Sequence, residues 1–201
     1  MRLDAPFDDV LLNRSHVRVL RALHRLPEGL AASGRELARR AGVTHPTALK
    51  ALALLTEVGV VTAGRGVAGD VYELNRDHVL ADHVAGLFRA EASIEQALAS
   101  FLRKELLAVT KKVESATVFG SAVWGESVPT SDIDLAVSCA AADVEEVQSA
   151  LEDLSEAVRR RFGNRLSPLV NAGKKKRRSG IWKRIEREGV PLIRSGRSVR
   201  Q

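Results

Sequence analysis

The chain has 201 residues, enough for one large or two small domains, and 45% hydrophobic with 28% charged residues fits a globular fold. No apolar run approaches the roughly 18 residues of a membrane span. The opening MRLDAPFDDV lacks the apolar core of a signal peptide, so a cytoplasmic protein is expected. The net charge of +6 is unevenly spread, with 11 Lys/Arg against two Glu in residues 171–201 and nine against 14 Asp/Glu in residues 81–170. That C-terminal basicity suits either a phosphate-rich partner or a solvated tail.

In chain order, SHVRVLRALHRLP (15–27) sets Val17, Leu20, Leu23 and His24 at helical spacing, with Ser15 as N-cap and Pro27 beyond the end. SGRELARRAGVT follows with a capping box, Ser33 and Glu36 satisfying each other's backbone N–H, and Gly42 where the helix should stop. Thr44 then caps HPTALKALALLTEVG (45–59), with Pro46 in the first turn and Leu49, Leu52 and Leu55 as the buried stripe. VVTAGRGVAGDVYEL supplies two β-prone runs, 60–62 and 71–74, around a Gly-rich loop tipped by Arg65, a hairpin with a long flexible turn.

Helix, turn, helix and hairpin in that order resemble the bacterial winged-helix transcriptional regulators over roughly residues 10–75. The resemblance implies double-stranded DNA as partner. Its third helix would present Thr44, His45, Thr47, Ala48 and Lys50 to the major groove, and Arg65 would reach the minor groove or phosphates. Use as a dimerisation or protein-binding module stays open, because residues 1–80 carry 11 Lys/Arg against nine Asp/Glu.

Residues 76–112 contain no Pro and place Val79, Val84, Leu87, Ile94, Leu98, Phe101, Leu102 and Leu106 in a helical pattern, read as one long helix or two broken near Gly86. Linking and dimerising the halves is the default role, so a homodimer is expected.

ATVFGSAV then reads as a buried strand, 116–119, running into a Gly-Ser turn and a helix start. SDIDLAVSC (131–139) alternates with period two, placing Asp132 and Asp134 on one face and Ile133, Leu135 and Val137 on the other. Paired carboxylates repel unless a divalent cation lies between them. Gly120 lets a phosphate approach the backbone, and Ser121 can donate to it. The lone cysteine, Cys139, excludes an internal disulfide and a Cys-based zinc site, and reads as a buried structural thiol.

Gly120, Ser121, ten residues, then Asp132 and Asp134, with Gly125 in GSAVWG, resemble the minimal nucleotidyltransferases of the DNA polymerase β superfamily over residues 113–193. The resemblance implies an NTP, with ATP expected, held by Gly120, Ser121 and Ser131. It implies Mg²⁺ on Asp132 and Asp134, which are also the catalytic residues if the domain is active. A third carboxylate on a later strand would hold a second metal and activate the acceptor hydroxyl. The helix DVEEVQSALEDLSEAVRRRFG (143–163) is present, but the strand NRLSPLVNA (164–172) has no Asp or Glu, and Ser167 stands where that carboxylate belongs. Trp124 occupies a position where the family often has Arg, and Glu126 is a substitute ligand to consider. IWKRIEREGVPLI (181–193) resembles the closing helix and strand, with Trp182 and Ile185 on the sheet and Lys183, Arg184 and Arg187 facing solvent or phosphate.

The expected organisation is a multi-domain α/β protein: a winged helix (α+β) over 1–75, a helical linker over 76–112, a nucleotidyltransferase-like domain with a mixed sheet over 113–193, and a tail at 194–201. The expected function is a DNA-binding regulator whose second domain binds NTP·Mg²⁺ with weak or no catalysis. The alternative is an active antitoxin-like enzyme transferring AMP to a toxin protein or a nucleic acid. The operator, the nucleotide, the acceptor and the role of KKKRR (174–178) are left open.

Overall fold

The computed structural model describes residues 1–109, 111–124, 131–172 and 180–194, with Val109, Ala122 and Trp124 described by backbone alone. The chain divides into two compact units, residues 1–93 and 94–201.

In the first unit, α1 (Pro6–Val10) precedes α2 (Arg14–His24). The cap of α2 is Asn13, not Ser15. Its extended backbone brings the side-chain oxygen to the open N–H groups of Ser15 at 2.9 Å and His16 at 3.2 Å. A two-residue strand, β1 (Ala32–Ser33), which the sequence pattern does not announce, leads into α3 (Gly34–Ala41). Ser33 Oγ accepts from the Glu36 N–H at 3.3 Å, and Gly42 ends the helix with φ of 61°. The box is half made, because the Glu36 carboxylate turns to Arg39 at 2.7 Å and Arg40 at 2.6 Å, charge attraction outweighing a neutral N–H. That pairing holds the Glu36 carboxyl down at about 2.

Thr44 caps α4 (His45–Glu57), whose buried stripe is Ala48, Ala51, Leu52 and Leu55. Leu49 lies outside that stripe, 37% exposed, and rests on Gly34, where a Cβ would stand 2.7 Å from its Cδ2. The wing is β2 (Val61–Gly66) and β3 (Gly69–Leu74), giving an antiparallel sheet of order β1-β3-β2. The long flexible turn is therefore corrected to a two-residue link, Val67–Ala68, with Gly69 at φ of 124°. Helix and hairpin residues share one core, from Val19 and Leu20 to Val61 and Leu74.

A single helix, α5 (Ala81–Val109), runs unbroken through Gly86; its residues up to 93 belong to the first unit and the rest to the second. The second unit continues with β4 (Val113–Phe119), α6 (Ser121–Trp124), β5 (Ile133–Cys139), α7 (Val144–Phe162), β6 (Leu166–Ala172), α8 (Gly180–Glu188) and β7 (Val190–Ile193). The sheet order is β6-β5-β4-β7, with β5 and β6 parallel and the other pairs antiparallel.

The period-two reading of β5 holds. Ile133, Leu135 and Val137 join Leu102 and Leu106 of α5 and Leu151, Leu154 and Val158 of α7 in one cluster. Across the sheet, Ala136 packs with Phe119 and with Trp182 and Ile185 of α8. Asp134 alternates onto this second side, so α8 packs on the carboxylate face. Arg184 and Arg187 do face solvent, yet both are ion-paired to Glu188. Cys139 is buried, and burial pushes its thiol up, as suits a structural residue.

Candidate functional site

The aspartate pair is assembled by strand register. Phe119, the last residue of β4, stands opposite Asp134, so the next residue must pass over that carboxylate. Gly120 does so with φ of 78°. A Cβ there would collide with Asp134 Oδ2 and lie 2.8 Å from Cγ, so only glycine fits. Ser121 then opens α6, and the Val123 N–H closes the turn on the Gly120 carbonyl at 3.1 Å.

Asp132 is exposed just ahead of β5, and Asp134 is half-buried one residue inside it. The approach to the pair is held from the side. Asn164 Nδ2 donates to the Ser131 carbonyl at 3.1 Å, and the Ile133 N–H donates to the Arg165 carbonyl at 2.8 Å. Sequence reasoning missed Asn164. Its only signal is its place after Gly163, the left-handed cap of α7, where a turn must feed β6.

Ser167 stands beside Asp134 in the parallel β5–β6 register, as the spacing predicts for the third acidic position. Burial pushes the Asp134 carboxyl above its usual range; the Ser167 hydroxyl, hydrogen-bonded to it, partly offsets this, and the charge of Asp132 adds to the rise. The neighbour that would be a third anion is thus a hydrogen-bond donor to the second. Among the described residues no group of three or more His, Cys, Asp or Glu side chains could hold a metal ion. Gly125, Glu126 and the KKKRR run lie outside the described residues, as does the side chain of Trp124.

The donor set fits one magnesium ion, because two hard carboxylates completed by water and phosphate oxygens are an ordinary Mg²⁺ arrangement. It does not fit a second ion, since a hydroxyl already committed to Asp134 replaces the anionic ligand. Bound between the carboxylates, such a cation would offset their repulsion and the charge of a triphosphate.

In the first unit, the predicted DNA-contacting residues separate into two kinds. His45 and Lys50 are exposed at the start of α4. Thr44 and Thr47 are occupied with the cap: Thr44 Oγ1 accepts from the Thr47 N–H at 3.4 Å and the two hydroxyls share a bond of 2.8 Å. Ala48 is fully buried, so it belongs to the core and not to a surface. Arg65 is exposed but is not the tip of the wing; it sits within β2 opposite Asp70, because the glycines at 66 and 69 allow the strands to extend past it.

A helix-turn-helix with a three-stranded wing and a mixed sheet carrying a Gly-Ser turn over an aspartate pair define a winged-helix protein fused to a nucleotidyltransferase fold. Residues 12–69 match the MarR family, and residues 103–195 match the family described as polymerase beta, nucleotidyltransferase. The chain therefore joins a MarR-family winged-helix domain to a polymerase-beta nucleotidyltransferase domain. No match to it was found among curated proteins. Among the described residues no helix is long and apolar enough to cross a membrane.

Proposed function

We propose that this protein is a DNA-binding transcriptional regulator whose nucleotidyltransferase domain binds NTP·Mg²⁺ as an effector and turns it over weakly or not at all. The observation that carries this reading is the pairing of Asp134 with Ser167 where a third carboxylate would complete a two-metal site. Asp132, Asp134, Gly120, Ser121 and Ser131 are the residues assigned to the nucleotide and its ion. Thr44, His45, Thr47, Lys50 and Arg65 are assigned to DNA, with Thr44 and Thr47 acting partly through the helix cap. ATP is the expected nucleotide, and a homodimer in the cytoplasm the expected state.

Calorimetry with each NTP, with and without Mg²⁺, tests the pocket, and a mobility-shift assay on DNA upstream of its own gene tests the winged helix. Metal-dependent binding without consumption of NTP supports the proposal. Absence of binding by every NTP, or of any sequence-specific shift, overturns it.

The retained Gly-Ser turn and aspartate pair also favour a second reading, an active antitoxin-like enzyme whose incomplete site is finished by a partner such as a toxin protein. Transfer of label from ATP to a lysate protein, abolished in Asp132→Ala/Asp134→Ala, would establish it. Equal labelling by that variant would remove it.

A further inference from the structure

The winged-helix unit carries a basic feature that its DNA-binding reading leaves unused. In α2, arginine recurs at Arg18, Arg21 and Arg25, a spacing that lines three guanidiniums along one stripe. The last turn of α3 adds Arg39 and Arg40. These five side chains line a cavity of about 550 Å³ whose remaining walls are only alanine and glycine.

The usual explanation of such clustering is a solvated helix surface laced with ion pairs, and pairs are present. Glu91 meets Arg21 at 2.7 Å, Glu36 meets Arg39 and Arg40, and Arg18 donates to the Gly42 carbonyl at 3.2 Å. Yet neither carboxylate lines the cavity, and two acids against five guanidiniums leave a local excess of three positive charges. The Arg25 guanidinium has no hydrogen-bond or ion-pair partner among the described residues. Guanidiniums tethered on one edge keep their other N–H donors in a preset geometry, which lowers the ordering cost of binding an anion.

Guanidinium forks match phosphate oxygens two at a time, and the cavity volume falls in the range typical of small-molecule sites. Its walls include no aromatic ring on which a base could stack. None of Thr44, His45, Thr47, Lys50 and Arg65 lines it, so it is separate from the surface expected to meet DNA. We propose that the arginine cavity between α2 and α3 binds a compact oligophosphate through its phosphates alone, as a site distinct from the aspartate pair.

The test is calorimetry on the full chain at fixed ionic strength, with sodium triphosphate as the probe and no divalent metal. The variants are Arg25→Gln/Arg40→Gln and Arg25→Lys/Arg40→Lys, each checked for folding by thermal melting. Arg25→Gln alone, at an unpartnered exposed position, serves if the double variant does not fold. Wild type should bind, the glutamine variant should lose roughly tenfold or more in affinity, and the lysine variant should lose less. ATP without metal should compete for the same site, because its triphosphate carries the same chemistry. Equal affinity in wild type and the glutamine variant overturns the proposal, because the triphosphate then binds elsewhere on the chain. Weakened operator binding with unchanged triphosphate binding in the glutamine variant would assign these arginines to the DNA backbone and also overturn it.

Discussion

At the scale of single residues, two positions in the nucleotidyltransferase domain are fixed by one another. Gly120 is required by the carboxylate beneath it as well as by its own backbone angle. Gly120→Ala should therefore cost about 1–3 kcal/mol of stability and abolish nucleotide binding together, read by chemical denaturation and calorimetry. Intact binding in that variant would argue that no ligand passes this turn. Asp134 carries the opposite burden. Its carboxyl is raised from an ordinary value of 3.8, so the folded state holds more protons than the unfolded chain and stability falls as pH rises through that range. Above the raised value the cost persists. Asp134→Asn keeps an acceptor for Ser167 and removes the charge, so without ligand it should melt higher than wild type at about pH 7 and converge with it near pH 3. The same change should weaken NTP·Mg²⁺ binding, trading function for stability.

At the scale of elements, caps and register decide what the side chains can do. The entry of α4 rests on the Thr44–Thr47 pair. Thr44→Ala should lower stability by about 1 kcal/mol and reduce operator affinity, measured by melting and mobility shift, because His45 opens that first turn and Lys50 follows on the next. In β6, the parallel register that sets Ser167 beside Asp134 allows a reconstruction. Ser167→Asp should destabilise the metal-free protein by like-charge repulsion, gain a larger rise in Tm on adding Mg²⁺, and release pyrophosphate from NTP faster than wild type. A Tm response to Mg²⁺ no larger than that of wild type would mean that more than one carboxylate separates this domain from a two-metal site.

At the scale of the whole molecule, the two units are different kinds of fold with separate cores, and α5 contributes residues to both. Positive charge is concentrated in the chain beyond residue 170 and, within the described residues, in the arginine stripe of α2 and α3. Operator affinity should fall steeply with salt, and Lys50→Gln should reduce the log–log slope by about one if that side chain meets a phosphate. An unchanged slope would take Lys50 out of the interface. Saturating NTP·Mg²⁺ belongs in the same titration, since a regulator of the proposed kind must show a different operator affinity with the nucleotide bound.

The local signals were legible because each is closed within a few residues. Examples are Gly42 ending a helix in a left-handed turn, Ser33 and Thr44 capping, and the alternation of β5 that turns Asp134 away from Leu135. Even the substitution at Ser167 could be found by counting along β6. The failures arose where the folded chain takes an arrangement that the local pattern does not show. Glu36 left its capping box for two arginines, Leu49 lies outside the buried stripe and against Gly34, and Arg65 is off the wing tip because the strands extend past it. The sequence by itself determined the two domain types and the residues of the aspartate pair, since periodicity and short motifs encode them. Only the tertiary structure decided that Gly120 is locked by Asp134, that Ser167 donates to it, and that five arginines from two helices share one cavity, because each depends on which surfaces meet once the chain is folded.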